Sequence, residues 1–144
     1  MSASLSTAHA LLRNVFGFSA FRPGQEEIVT AVLDGENVLA VMPTGSGKSL
    51  CYQLPAIARP GLTVVVSPLI ALMRDQVRSL TAAGVAAGSL NSSNEPAENA
   101  RVVTLLRKGE LRLLYLAPER LARPDTVEML AESDVSLMAI DEGH

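Results

Sequence analysis

Asn37-Val38-Leu39-Ala40-Val41-Met42-Pro43-Thr44-Gly45-Ser46-Gly47-Lys48-Ser49 is the stretch on which the fold turns. Its first six residues are a short apolar run of the kind that forms a buried strand. The loop that follows carries two glycines, and a helical run begins at Leu50. Strand, glycine loop and helix in this order are what a phosphate cradle requires. Gly45 and Gly47 let backbone N–H groups turn inward with no Cβ in the way, and the positive end of the next helix faces the anion. In that reading Thr44 to Ser49 wrap the phosphates, Lys48 reaches the β and γ phosphates, and the Ser49 hydroxyl serves Mg²⁺. The full eight-residue pattern has a further Gly where this chain has Met42, so the match rests on Thr44-Gly45-Ser46-Gly47-Lys48-Ser49. A solvated Gly/Ser turn is the competing reading, and the position between a buried strand and a helix disfavours it.

Outward from this segment, the same short apolar runs recur at Leu62 to Ser67, Leu111 to Ala117 and Ser136 to Asp141, with Val85 to Leu90 as a further candidate. Helical stretches separate them. Ile70, Met73, Val77 and Leu80 form one stripe that ends at Gly84, and Pro23 opens a helix whose apolar face is Ile28, Ala31 and Val32 and whose stop is Asp34-Gly35. Leu5 to Val15 reads as a short lead-in helix, and Pro55 is expected to kink or end the helix after the glycine loop. Cys51 and Tyr52 read as packing residues of that helix. Buried strands alternating with amphipathic helices imply an α/β fold, a parallel sheet covered on both faces, since crossover helices join parallel neighbours. The expectation is one domain over 1–144 with a lead-in of about 1–22. The last strand runs directly into Asp141-Glu142-Gly143-His144, so the fold is expected to be incomplete at this end.

Composition narrows the function. With 48% apolar and 19% charged residues in 144, the chain is neither a disordered polyelectrolyte nor a collagen-like repeat. A net charge of -3 argues against a polybasic arm or a cationic membrane-binding face. The single cysteine, Cys51, allows no internal disulfide and suits a reducing compartment, hence an expected cytoplasmic location. No run approaches the roughly 18 apolar residues that a bilayer crossing needs, so no membrane partner is expected. The first 25 residues lack acids but carry only two arginines, and read as a helix rather than a transit peptide.

Asp141-Glu142 supplies the second half of a triphosphate site. Hydrolysis needs a carboxylate near Mg²⁺ and a group that orients or deprotonates water. A carboxylate at the end of a parallel strand stands on the rim where such sheets bind ligands, the rim from which the Lys48 loop springs. Asp141 is then the expected metal partner with Ser49, and Glu142 the expected base. Taken alone, an acidic pair after a strand is a helix cap or a solvated turn. Convergence with the glycine loop makes it a site.

These segments, read together, resemble the RecQ family of DNA helicases. The likeness is carried by Phe16-Gly17-Phe18, by Phe21-Arg22-Pro23-Gly24-Gln25-Glu26-Glu27-Ile28, by Met42 to Pro55, and by Ser67-Pro68-Leu69-Ile70-Ala71-Leu72-Met73-Arg74-Asp75-Gln76-Val77. It continues through Tyr115 to Leu121 and Asp141-Glu142-Gly143-His144, covering the chain from about Leu12 onward. The resemblance implies the first of two RecA-like lobes of a motor that uses ATP and Mg²⁺ to move 3′ to 5′ on single-stranded DNA and separate duplex DNA in recombination and repair, at the nucleoid in a bacterium. It also implies that Gln25 pairs with the adenine edge, that Arg22 lies against the base, and that Phe18 stands where the family more often has Tyr. An amide does suit adenine N6 and N7, and a ring stacks a purine. Phe18 and Phe21 alone would also serve as core. Ser67 and Pro118 fall in family motifs that face DNA, although a proline at a strand end is also a simple stop. Gly143 replaces the usual Ala after Glu142. The transition-state arginines belong to the second lobe, so little or no turnover is expected of these 144 residues alone. An RNA helicase of the DEAD-box kind and a nucleotide-binding module without motor activity are the other readings.

Overall fold

The computed structural model describes residues 9–10, 12–14, 25–34, 38–42, 53–54, 56 and 61–141. Five parallel strands make one sheet: β1 (Val38–Met42), β2 (Leu62–Val66), β3 (Ala87–Leu90), β4 (Leu113–Leu116) and β5 (Val135–Asp141), in the spatial order β1-β5-β2-β4-β3. The described helices are α1 (Gln25–Leu33), α2 (Ile70–Ala82), α3 (Pro96–Arg107), α4 (Pro118–Leu121) and α5 (Pro124–Ala131). Residues 9–10 and 12–14 are helical as well, as the lead-in reading requires.

Strand alternation places a core on each face. Val65, Leu113, Tyr115, Leu137 and Ala139 point to the side of α2, where Met73 and Leu80 meet them, with Ile28 of α1 packed alongside. Their neighbours Val64, Val66, Leu114 and Leu116 point to the other side and meet Val102 and Leu106 of α3 and Met129 and Leu130 of α5. A sheet buried on both faces needs no polar alternation, which is why all five residues of β2 are buried and its sequence is nearly all apolar.

The α2 stripe ends as its spacing predicts. Gly84 takes φ +87°, Gly84 N–H donates to Thr81 O (3.0 Å) and Val85 N–H to Leu80 O (2.9 Å), the paired bonds of a left-handed helix stop. Elsewhere the structure corrects details. Among the described side chains of α1, Val29 is fully buried beside Ile28 of the expected stripe, which packs against the core. Ala56 is helical, and Pro55 itself lies outside the described residues. Pro118 is the first residue of α4, a helix start rather than a plain strand stop, because its ring fixes φ where no N–H is needed. Among the described residues, no helix is long and apolar enough to cross a membrane.

Candidate nucleotide-binding rim

All five strands are parallel, so their carboxyl ends lie on one rim. The register then decides which ends are neighbours. β5 lies between β1 and β2, and its last residue, Asp141, stands opposite Met42, the last residue of β1. Neighbouring strands are about 4.8 Å apart. The end of β1 at Met42 therefore lies next to the strand end that carries Asp141. On the other side, Val66 of β2 is paired with Ile140, so Ser67 and Asp141 follow one another across the next gap.

Along the rim the order of strand ends is Met42, Asp141, Ser67, Ala117 and Asn91. The far end is held by backbone bonds, Ser67 N–H to Leu116 O (3.0 Å) and Ala117 N–H to Leu90 O (3.3 Å). Four strand spacings separate β1 from β3, about 19 Å. The rim is thus wide enough for two ligands side by side.

Of the residues singled out in the sequence, Asp141 is placed by its backbone at the end of β5, and Gln25 is the first residue of α1. Phe18, Arg22, Thr44, Gly45, Ser46, Gly47, Lys48, Ser49 and Glu142 lie outside the described residues, as do Cys51, Tyr52 and His144. Carboxylate and hydroxyl oxygens are hard donors, so Asp141 with Ser49 is a donor set that fits Mg²⁺. Among the described residues there is no group of three His, Cys, Asp or Glu side chains that would make a separate metal centre.

Ser67 is buried, and its Oγ accepts the Leu69 N–H (3.1 Å), closing a turn that delivers the chain into α2. Its hydroxyl organises the rim locally. Past Pro118, Arg123 Nη2 and Nε grip Asp125 at 2.8 and 3.1 Å. Burial, and then the neighbouring Arg123, pull Arg120 below the ordinary guanidinium range.

One polar cluster on the rim was not foreseen. Asn91, 1% exposed, accepts Ser93 N–H (2.9 Å) and Asn94 N–H (3.0 Å) at Oδ1. Asn94 Nδ2 donates to Ser89 O (2.8 Å) and Asn99 Oδ1 (3.0 Å), and Asn99 Nδ2 to Asn91 O (3.1 Å). The signal was present in Asn91-Ser92-Ser93-Asn94 before Pro96, since Asn side chains mimic a backbone turn. A cavity of about 590 Å³ opens on the opposite rim, lined by Gly61, Leu62, Leu111, Met129 and Asp134 among others. It faces the amino ends of the strands and has no part in the arrangement above.

The chain is 48% identical over 138 residues to an ATP-dependent DNA helicase RecQ of Haemophilus influenzae, covering 96% of this chain and 22% of that protein. It is 43% identical over 141 residues to an ATP-dependent DNA helicase RecQ of Bacillus subtilis, covering 97% and 24%. With ATP-dependent DNA helicase Q-like 5 of Arabidopsis thaliana it shares 42% over 135 residues, 93% of this chain and 15% of that one. The chain thus spans about a quarter or less of the length of these relatives. In fold it resembles the DUF1998 helicase MrfA, whose crystal structure bound to DNA and AMPPNP superposes with a TM-score of 0.63 at 21% identity, covering 99% of this chain and 21% of that one. The DEAD/DEAH box helicase family model matches residues 22–144, so the chain belongs to that family, with RecQ helicases among its relatives.

Proposed function

We propose that this chain is the ATP-binding part of a RecQ-type DNA helicase. The observation that supports the proposal is the Met42–Asp141 register, which makes the last residues of β1 and β5 neighbours on one rim. The backbone N–H groups of Thr44 to Gly47 and the Lys48 ammonium hold the triphosphate. Ser49 and Asp141 hold Mg²⁺, which when bound offsets charge on the β and γ phosphates. Glu142 orients or deprotonates the attacking water. Phe18, Arg22 and Gln25 take the adenine, and α1 begins at the last of these.

The rim from Ser67 to Asn91 is the side for DNA. It lies on the same edge as the nucleotide but beyond Asp141, so the two ligands do not compete for the same strand ends. The RecQ relatives favour DNA over the RNA of the DEAD-box reading. Single-stranded and duplex DNA, a second RecA-like lobe, and a cytoplasmic location at the nucleoid complete the proposal. The single cysteine suits that compartment.

The test is binding of a fluorescent ATP analogue to the chain, with and without Mg²⁺. Lys48→Ala should weaken binding by about tenfold or more, as expected when a charged hydrogen bond to phosphate is removed. Asp141→Asn should abolish the Mg²⁺-dependent part. Wild-type affinity in a folded Lys48→Ala chain would dismiss the site.

A further inference from the structure

α2 leads directly out of the Ser67–Leu69 turn, and its buried face is Met73 and Leu80 with Val77 packed beside them. An apolar stripe fixes which side of a helix meets a sheet, but successive turns look alike, and a slip of one turn is a shift of about 5.4 Å. Gln76 lies on that same face, three residues after Met73 and four before Leu80. It therefore occupies a core-facing position with a polar side chain. Its Oε1 accepts the hydroxyl of Tyr115, which is 1% exposed and sits on β4 in register with Val65 and Ser89.

We infer that Gln76 and Tyr115 are a positioning pair that sets the Ser67–Leu69 turn relative to the Ala117–Pro118 turn, and so shapes the part of the rim that takes single-stranded DNA. A bond from a buried hydroxyl to a half-buried amide specifies a register more sharply than apolar contact, because any slip leaves the hydroxyl in an apolar cluster without this acceptor. Tyr115 is anchored by its strand and lies two residues before Ala117, while Ile70, the start of α2, follows Leu69. One hydrogen bond thus ties together the chain segments behind both turns. The inference rests on the DNA reading of the rim given above.

The experiment measures three quantities on the same chain: affinity for a short fluorescein-labelled oligothymidylate, affinity for the fluorescent ATP analogue, and hydrogen exchange at the Leu69 amide. Tyr115→Phe removes one oxygen and Gln76→Leu keeps the apolar face, so either serves if the other fails to fold. Each should weaken oligonucleotide binding several-fold, speed exchange at Leu69 by about tenfold, and leave nucleotide affinity within about twofold. The double variant should be no worse than either single one, since both remove the same bond. Unchanged oligonucleotide affinity with unchanged Leu69 exchange, or effects that add, overturn the inference. A wild-type chain that binds no oligonucleotide overturns the DNA reading instead, and the exchange measurement still decides whether the pair positions the turn.

Discussion

Gly88 on β3 shows how closely single residues fit this sheet. A Cβ there would lie 2.7 Å from Val102 Cγ2 and 3.1 Å from Cγ1, closer than carbon atoms tolerate. Val102 is fully buried on α3, and a β-branched side chain in a helix has one strongly preferred rotamer, so it has nowhere to turn. Gly88→Ala should therefore destabilise the chain by about 1–3 kcal/mol, the usual cost of overpacking. Val102→Ala alone opens a cavity and should cost a similar amount. Together the two changes should cost less than their sum, because the added methyl enters the space the valine leaves. Urea unfolding of the four chains checks this, and strict additivity would mean that β3 and α3 do not meet at this point.

α2 and α5 differ in how plainly the sequence announces them, and the reason lies in how many apolar contacts each needs. The α2 stripe has four members at regular steps and a glycine stop, and its bounds follow from pattern alone. In α5 the buried residues are Thr126, Met129 and Leu130, and in α3 only Val102 and Leu106. Stripes this thin do not stand out from noise. The signal that was there is proline: α3, α4 and α5 all begin with it, each time just after an extended residue. The strands were legible because a sheet covered on both faces makes its strands uniformly apolar. Their order was not, since the placing of β5 between β1 and β2 depends on crossovers that no local pattern encodes. The adjacency of the ends of β1 and β5 was nevertheless foreseeable, because the proposed site needs the segments that follow both strands to meet one triphosphate. The same element scale holds a pH prediction. Asp125 in the first turn of α5 is held below the usual carboxylate range, first by its hydrogen bond from Arg123. A depressed carboxyl adds stability at pH values above its unfolded pKa and loses that contribution as pH falls through the folded one. The group is on the surface, so its share in global stability is small. It is visible in its own titration: the Asp125 carboxyl carbon should shift in NMR at a lower pH than an ordinary aspartate, and Arg123→Gln should return it toward the ordinary value. An unchanged midpoint in that variant would mean that the ion pair does not form in solution.

At the scale of the whole molecule, the five-stranded sheet has two edges of different character. β3 is short, lies between the glycine turn at Gly84 and the asparagine turn at Asn91, and packs against α2 and α3. β1 is the other edge of the described sheet, and its Leu39 is 65% exposed. An apolar strand with one unpaired row of backbone groups is a template for pairing with another chain. The strand next to the proposed phosphate site thus carries an exposed apolar residue at an edge of the described sheet, which favours self-association. A strand in a parallel sheet is selected for burial and for pairing, and neither demand protects an outer edge. Leu39→Lys should therefore raise the monomer fraction at high concentration, because a charge at an edge opposes strand addition. Sedimentation velocity reads this directly. Nucleotide affinity should stay within about twofold, since backbone pairing of β1 with β5 does not depend on the side chain at position 39. A variant that aggregates as readily as the original would place the sticky surface elsewhere, with the exposed Val127 of α5 as the next residue to change.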